Sequence, residues 1–447
     1  MDAEQSGIAY QPNCLEDLSP GGLYVLRGPR RVGKTVAVRQ AIAALIRAGA
    51  NPRSIVWFAA DGTAAKDLRT LAQNTAIPAC PPASHRWWFI DEATGIRGDW
   101  PAQLKWLKDN DPAFRSATIV LTGSNAKGLS EAIGVLAGRR GQVTDPERTL
   151  LPMGFRTFVN LLDPQIAGAK HDPLRSHQLH DKSSISVYNN LLPWLDQLVQ
   201  WWERYLRYGG FPSSVAALAR GEQVPTWLVE ALFDVIHRDT LGSKLAETET
   251  MALIDRIGVG LCSPSNTSSI ARELGIGADA LALRISDLRD GFLLWRCPQK
   301  DVASWKPLPH SFAKLYFTDP LIAALASSRR PETWSRPDLT AIAEQQIGLA
   351  CRREIESRNP GSWATDDRLF YQRTPTRKEI DFVGHDLNPV AIEGKYVEDG
   401  GWASEAKTVE AAGYNGVLTT RNVLDCPDEP GRAWAIPAAF VAYLIDT

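Results

Sequence analysis

Four short apolar runs alternate with amphipathic stretches in the first third of the chain. The runs are "LYVLR", "SIVWFAA", "WWFID" and "ATIVLTG". The first is followed by a glycine-containing loop and by "KTVAVRQAIAALIR", in which apolar residues recur at intervals of three and four. That spacing is typical of an amphipathic helix, whereas short continuous apolar runs are typical of buried strands. Strands alternating with helices predict an α/β fold with a parallel sheet.

The pattern changes after this region. Residues 162–186 are polar and interrupted by Pro and Gly, which predicts a long surface loop. Helical periodicity follows in "NNLLPWLDQLVQWWERYLRY" and "VPTWLVEALFDVIHRDTL". Further along, "IARELGIGADALALRISDLRDGFLLWRC" has the order helix, tight turn, helix, strand, which is the winged-helix pattern.

Length and charge limit the range of functions. A chain of 447 residues is too long for one core, so two to four domains are expected. The net charge of −2 provides no overall basic field for a polyanion, so nucleic acid would have to bind a local patch. The N-terminus has no apolar signal-peptide core, and no apolar run approaches membrane-spanning length. A cytoplasmic protein without membrane contact is expected.

The loop after the first apolar run has the form G-x-x-x-x-G-K-T. Its fixed positions are Gly28, Gly33, Lys34 and Thr35, and Arg31 between them is a further candidate for binding the nucleotide. Backbone N–H groups of such a loop, together with the helix N-terminus, can bind phosphates. Lys34 is predicted to reach the β- and γ-phosphates, and the Thr35 hydroxyl to ligate Mg²⁺. The motif therefore predicts an ATP site.

The third apolar run ends in Asp91-Glu92. An apolar strand closing on these residues is a Walker B pattern, in which Asp91 holds Mg²⁺ and Glu92 orients the attacking water. Acidic residues at a strand end are usually only solvated. The phosphate loop upstream makes the catalytic interpretation the stronger one.

Two later segments contain further candidates. In "LTGSN", Thr122, Ser124 or Asn125 could sense the γ-phosphate, although Gly-Ser-Asn is also turn chemistry. In "LAGRRGQV", Arg139 and Arg140 are candidates for stabilising charge on the transferring phosphoryl group, and the alternative is a solvated basic loop.

The C-terminal stretch "EIDFVGHDLNPVAIEGKY" predicts two adjacent strands joined by a polar turn. Side chains alternate along a strand, so a hairpin can bring Asp381 beside Glu393 and Lys395. Two carboxylates there could bind Mg²⁺ or Mn²⁺, and Lys395 could help activate water and neutralise a phosphate. Alternating charge on an exposed strand often produces the same pattern without any function.

The predicted winged helix has two interpretations. One is binding to the major groove of DNA. The other is a structural or protein-contact role, which is favoured because the second helix carries Asp279, Asp287 and Asp290 against Arg284 and Arg289. Carboxylates on a recognition helix would face phosphates.

The motifs "GPRRVGKT", "FIDEAT", "VLTGSN", "LAGRR", "LLPMGFRTF", "YLRYGGFPSSV", "VIHRDTL", "KLYFTDPL" and "EIDFV…AIEGKY" occur in an order that resembles a prokaryotic AAA-like, STAND-related (archaeal-ATPase-like) family. The resemblance implies an ATPase domain at 1–160, a helical lid with a polar insertion at 161–245, a winged helix at 246–330 and a PD-(D/E)XK nuclease-like domain at 331–447. It also implies that Glu344 is a further catalytic carboxylate and that Pro212 contacts the adenine, although Gly-Gly-Phe-Pro is equally a helix terminator and turn.

Two functional hypotheses follow. In the first, the ATPase core gates a Mg²⁺- or Mn²⁺-dependent nuclease that acts on nucleic acid through Glu344, Asp381, Glu393 and Lys395. In the second, the chain is a non-cutting signalling ATPase, and its C-terminal domain binds a protein partner, a second copy or nucleic acid.

Overall fold

The computed structural model describes residues 8–76, 85–124, 129, 132, 134–136, 138–141, 143, 145–242, 246–309, 311–397 and 401–446. The chain forms two compact units. The N-terminal unit comprises Tyr10–Leu151 with Asp290–Phe292, and the C-terminal unit comprises Met1–Ala9, Pro152–Arg289 and Leu293–Thr447. No helix in the described ranges has the length and apolar character needed to cross a membrane.

A parallel five-stranded sheet organises the N-terminal unit, with the strand order β2-β3-β4-β1-β5. Its strands are β1 (Leu23–Arg27), β2 (Ile55–Ala59), β3 (Trp87–Asp91), β4 (Thr118–Gly123) and β5 (Glu147–Thr149). Its described helices are α1 (Lys34–Arg47), α2 (Asp67–Ala76), α3 (Trp100–Asn110) and α4 (Pro112–Ser116). The α/β class with a parallel sheet, predicted from the apolar runs, is therefore confirmed.

Burial explains why these runs become central strands. Every residue of β1, β3 and β4 is buried, as continuous apolar strands covered on both faces require. Helix α1 buries Lys34, Ala37, Val38 and Ala41, which are one stripe at intervals of three and four. The loop of residues 28–33 connects β1 to α1, so the first turn of α1 follows the carboxyl end of β1.

The C-terminal unit is mostly helical up to residue 358. Its helices are α5 (Phe155–Leu162), α6 (Pro164–Gly168), α7 (Ser184–Leu191), α8 (Leu195–Tyr208), α9 (Pro212–Ala219), α10 (Thr226–Asp234), α11 (Glu247–Val259), α12 (Thr267–Glu273), α13 (Ala278–Asp290), α14 (Pro320–Ala323), α15 (Leu325–Arg329) and α16 (Leu339–Arg358). A π-helical turn, Val235–Thr240, continues α10. Within the sequence predicted to be a surface loop, α6 and a 3₁₀ turn at Ser176–Gln178 form instead.

Two sheets complete this unit. Strands β6 (Pro264–Ser265), β7 (Leu294–Pro298) and β8 (Ala313–Phe317) form an antiparallel sheet with β8 in the centre. The second sheet has the order β13-β12-β11-β10-β9, and its members are β9 (Phe370–Arg373), β10 (Glu379–Val383), β11 (Val390–Gly394), β12 (Asn415–Thr420) and β13 (Trp434–Pro437). Helices α17 (Ala403–Ala411) and α18 (Ala438–Ile445) follow β11 and β13.

The helix-turn-helix segment α12–α13 precedes β7, as the sequence predicts. Arg289 of α13 and Arg296 of β7 both pair with Asp366, at 3.0 and 3.2 Å. One arginine of α13 and one of the following strand thus form ion pairs inside the C-terminal unit, which agrees with the structural interpretation of these helices. The winged-helix assignment itself stays a prediction.

Helix α16 packs closely against the β9–β13 sheet because a glycine lies at the contact on each side, Gly348 in the helix and Gly394 in β11. A Cβ on Gly394 of β11 would lie 2.8 Å from Cγ of Glu344, and one on Gly348 of α16 would lie 2.5 Å from the Phe382 ring. Both separations are shorter than van der Waals contact between carbon atoms. The glycine of "EGK" therefore leaves room for the Glu344 side chain.

The glycines of "YGGFP" have a structural role in the C-terminal unit. The Gly210 N–H donates to Oδ2 of Asp319 at 2.7 Å, and Gly209 has φ +66 beside the same carboxylate. Pro212 is the first residue of α9, a position that suits proline because the N–H there has no helical partner. The helix-terminator interpretation thus describes this stretch, and adenine contact by Pro212 stays a prediction.

We expect Gly210→Ala to destabilise the C-terminal unit by about 1–3 kcal/mol, since added core atoms force backbone shifts. The new Cβ would lie 2.1 Å from the Met153 carbonyl oxygen. Chemical denaturation monitored by tryptophan fluorescence measures the change. Gly168→Ala is the matched control, because a Cβ at Gly168 meets no atom within 4 Å. Equal stability of the two variants would contradict the expectation.

A buried polar network connects distant segments of the same unit. Asp446 accepts the Phe155 N–H at 2.6 Å and pairs with Arg353 at 3.0 Å. Arg353 also donates to the Pro152 carbonyl at 3.0 Å, while the Tyr205 hydroxyl donates to the Met153 carbonyl at 2.9 Å. Helices α8 and α16 and the end of the chain thus hold the segment that leads into α5.

Candidate functional site

The loop between β1 and α1 is held in an unusual backbone conformation. Gly28 packs against the Leu150 carbonyl group, and a Cβ on Gly28 would lie 1.9 Å from the carbonyl oxygen. Gly33 has φ +104, and Arg31, with a side chain, has φ +71. Non-glycine residues rarely adopt positive φ, and such strain concentrates at ligand-binding loops. The geometry explains the two fixed glycines of the motif.

Lys34 is buried at the start of α1 and folds back onto this loop. Its ammonium group donates to the carbonyl oxygens of Gly28 and Pro29, both at 3.0 Å. It also pairs with Oε1 of Glu92 at 3.4 Å. Burial lowers the pKa of Lys34, and the carboxylate of Glu92 acts in the opposite direction. The predicted phosphate-binding lysine and the predicted catalytic glutamate are therefore neighbours.

Asp91, at the end of β3, is held by two hydroxyl groups. The Thr35 hydroxyl donates to Oδ2 at 2.7 Å, and the Thr122 hydroxyl of β4 donates to Oδ1. Strands β3 and β4 are parallel neighbours, so their carboxyl ends present these side chains at one edge. The motif residues of α1 and β3 thus meet at the carboxyl edge of the sheet.

Glu92 has φ +54, which is uncommon for a residue with a side chain. Its N–H donates to the Thr122 hydroxyl at 3.0 Å, and the Ser124 hydroxyl donates to its Oε2 at 3.2 Å. Ser124, predicted as a γ-phosphate sensor, therefore orients the glutamate. Asn125, the other sensor candidate in this turn, lies outside the described residues.

The chemistry of these groups suits Mg²⁺ together with ATP. Mg²⁺ prefers oxygen ligands, and the Thr35 hydroxyl and Asp91 carboxylate are oxygen donors 2.7 Å apart. These two residues would hold the ion, which would neutralise charge on the phosphates. Glu92 is placed one residue further along, where a carboxylate can accept a proton from water.

Arg139 forms a bidentate ion pair on the surface of the N-terminal unit. Its Nε and Nη2 lie 2.7 and 2.8 Å from the two carboxylate oxygens of Asp109. The hydrogen bond to Asp109 raises the pKa of Arg139. Arg140 instead pairs with Glu147 at 3.4 Å, beside the buried Arg27. A role for Arg139 in phosphoryl transfer would require it to leave Asp109, and that role stays a prediction.

In the C-terminal unit the four predicted residues meet. The antiparallel pairing of β10 with β11 sets Phe382 opposite Ile392, so Asp381 and Glu393 are the next opposed pair. The Asp381 N–H donates to Oε2 of Glu393 at 3.1 Å. Lys395 lies 3.7 Å from Oε1 of Glu393, and Glu344 reaches in from α16 over Gly394. We call Glu344, Asp381 and Glu393 the acidic cluster.

A lysine outside the predicted set lies inside the acidic cluster. Lys314 of β8 is 1% exposed and its Nζ is 2.6 Å from Oδ1 of Asp381 and 3.4 Å from Oε1 of Glu344. The Tyr316 hydroxyl, two residues along the strand, donates to the same Glu344 oxygen at 2.7 Å. The three-stranded sheet therefore contributes two polar side chains to the cluster.

Burial and mutual repulsion set the protonation of the acidic cluster. Burial, followed by the charge of Asp381, raises the pKa of both Glu344 and Glu393. Burial alone would lower the pKa of Lys314, but Asp381 and Glu344 raise it well above the ordinary lysine value. The buried ammonium of Lys314 and the more exposed one of Lys395 are the positive charges that face the cluster.

The acidic cluster does not suit a divalent ion in this arrangement. Across the described residues, no three His, Cys, Asp or Glu side chains are placed to hold a metal. The ammonium group of Lys314 is at the Asp381 oxygen that such an ion would need. Asp381 and Glu393 thus lie together as predicted, while metal binding by them is not supported by the geometry.

Lys314 and Tyr316 were not among the residues that the sequence predicts for this site. The available signal was a lysine inside the strand "AKLYF", since lysine is almost never fully buried unless it is paired. The sequence predicts Thr122 only as a candidate sensor, whereas its hydrogen bonds to Asp91 and Glu92 give it a supporting role.

The sequence of residues 21–159 matches the model of a family described as an AAA domain. No curated protein matches the chain. A Walker-type ATPase of Pyrococcus abyssi is 16% identical over 73% of this chain and 95% of its own, with a TM-score of 0.41. The ORC2 protein of Aeropyrum pernix, in ADPNP-ADP complexes, is 10% identical over 74% and 93%, with a TM-score of 0.35. RuvB of Thermotoga maritima is 16% identical over 62% and 82%, with a TM-score of 0.27. The family match and the phosphate-loop geometry agree that residues 21–159 form a P-loop AAA-like ATPase domain.

Proposed function

We propose that this chain is an ATP-hydrolysing switch in which the nucleotide state of the N-terminal unit controls a C-terminal unit that binds a partner without cutting it. The hydrogen bond of 2.7 Å between Thr35 and Asp91 supports the ATPase, since it brings the two motifs together. In this scheme Lys34 binds the β- and γ-phosphates, Thr35 and Asp91 hold Mg²⁺, and Glu92 orients water.

The ion pair between Lys34 and Glu92 suggests how the site responds to ATP. A phosphate oxygen is a better partner for the buried ammonium group than the partly exposed Glu92 carboxylate 3.4 Å away. On ATP binding Lys34 would turn from Glu92 to the phosphates. Glu92 would then remain hydrogen-bonded to Ser124 and be free to accept a proton from the attacking water.

The state of the acidic cluster supports a non-cutting C-terminal unit. Asp381, the central carboxylate of the predicted nuclease site, already pairs with the buried ammonium of Lys314 at 2.6 Å. Arg289 of α13 and Arg296 of β7 both pair with Asp366, so these two arginines are neutralised within the unit. A protein partner or a second copy of the chain suits this unit better than a polyanion.

A metal-dependent nuclease is the second candidate function. The observation that favours it is that α16, β10 and β11 bring together Glu344, Asp381, Glu393 and Lys395. These residues have the D…E-x-K arrangement of PD-(D/E)XK enzymes. In that case ATP would gate cleavage of DNA or RNA.

A cleavage assay separates the two candidates. We expect wild-type protein with ATP and either Mg²⁺ or Mn²⁺ to leave single- and double-stranded DNA and RNA intact while it hydrolyses ATP. Asp381→Asn should hydrolyse ATP like wild type, as should the control Asp428→Ala, which removes an exposed aspartate of the same unit. Cleavage by wild type and Asp428→Ala that is lost in Asp381→Asn would establish the nuclease instead.

A further inference from the structure

We propose that Lys314 is the resident cation of the acidic cluster and takes the place of a divalent metal. The cluster then keeps the shape of a metal-dependent site through an internal ion pair and binds no divalent ion. This inference deepens the proposed function, on whose non-cutting C-terminal unit it rests.

The contacts of Asp381 are the first support. One of its oxygens, Oδ1, lies 2.6 Å from the Lys314 ammonium, and the other, Oδ2, accepts the Gly394 N–H at 2.8 Å. Both oxygens are therefore engaged by donors of the protein itself. A divalent ion would have to displace the ammonium or break a backbone hydrogen bond in order to gain a ligand.

The other two carboxylates are also satisfied without metal. Oε1 of Glu344 accepts the Tyr316 hydroxyl at 2.7 Å and faces Lys314 at 3.4 Å. Oε2 of Glu393 accepts the Asp381 N–H at 3.1 Å, and Oε1 faces Lys395 at 3.7 Å. Each member of the acidic cluster thus has a donor of its own, which is what buried carboxylates require.

Strand pairing fixes Lys314 in this position. Strand β8 is the central strand of its sheet, where Lys314 is paired in register with Cys297 of β7 and Pro264 of β6. The ammonium also lies 5.7 Å from the centre of the Tyr371 ring, at cation–π distance. If a metal took its place, a buried ammonium would lose its counter-charge, which is strongly unfavourable.

Metal binding by the nucleotide-free full-length protein tests the inference. The probe is Mn²⁺, and electron paramagnetic resonance measures the free ion. We expect wild type and Asp381→Asn to bind equally little Mn²⁺. Lys314→Met should take up a Mn²⁺ ion that the double variant Lys314→Met/Asp381→Asn does not. The single variant lacks the ammonium group but keeps the Asp381 carboxylate, whereas the double variant lacks both.

Two results would overturn the inference. One is Mn²⁺ bound by wild type and lost in Asp381→Asn. The other is a folded Lys314→Met protein that binds no more Mn²⁺ than wild type. A cooperative thermal unfolding transition shows that Lys314→Met is folded. If that transition is absent, the comparison of Mn²⁺ binding by wild type and Asp381→Asn alone tests the inference. Metal bound at Asp381 without cleavage overturns this inference only, whereas cleavage of nucleic acid overturns the proposed function.

Discussion

Glu92→Gln should reduce ATP turnover by about 10²–10⁴-fold, the range typical of losing a positioned proton acceptor. The amide can still accept the Ser124 hydroxyl, so the local geometry is retained. What it cannot do is take a proton from water. ATP binding should persist, because Lys34 and the loop that binds the phosphates are unchanged. Steady-state phosphate release and equilibrium binding of a fluorescent ATP analogue measure the two quantities separately.

Glu16→Gln is the control for this variant. Glu16 is an exposed glutamate of the same unit, and its replacement should leave turnover unchanged. Lys34→Ala should behave differently from Glu92→Gln, because it removes a phosphate contact and therefore weakens binding as well. A Glu92→Gln protein with wild-type turnover would show that another group orients the water.

Arg353→Met should destabilise the C-terminal unit by about 3–5 kcal/mol, the usual cost of removing one partner from a buried ion pair. The substitution leaves Asp446 buried with only the Phe155 N–H as a strong partner, and it removes the donor to the Pro152 carbonyl. Urea denaturation monitored by far-ultraviolet circular dichroism measures the free energy of unfolding.

Arg220→Met makes the same chemical change at an exposed ion pair with Glu222 in the same unit. Solvent screens that pair, so no measurable loss of stability is expected. If the two variants unfold at the same urea concentration, the buried network does not have the stabilising role given to it here.

Site residues could be predicted from the sequence where they lie close together in the chain. One loop and the first turn of α1 contain Gly28, Gly33, Lys34 and Thr35, and their geometry follows from that order. Asp381 and Glu393 are close in a hairpin, so the twofold alternation of a strand sufficed to place them together.

Contacts that depend on distant strand pairing could not be predicted in the same way. Lys314 is 67 residues from Asp381, and no local pattern indicates that β8 delivers its ammonium to that carboxylate. The ion pair of Arg139 could not be predicted for the same reason, since its partner Asp109 is 30 residues earlier. The close contacts of Gly209 and Gly210 with Asp319 and Met153 likewise join segments that are distant in the sequence.

The contact between Phe155 and Asp446 has a consequence for synthesis on the ribosome. All five strands of the N-terminal sheet are present once Thr149 has been made, so that sheet can form early. The Phe155 N–H must wait for a carboxylate 291 positions later. The helix that begins at Phe155 therefore lacks one of its N-terminal hydrogen-bond acceptors during most of translation, although its aromatic side chains can pack earlier against Trp202 and Tyr205.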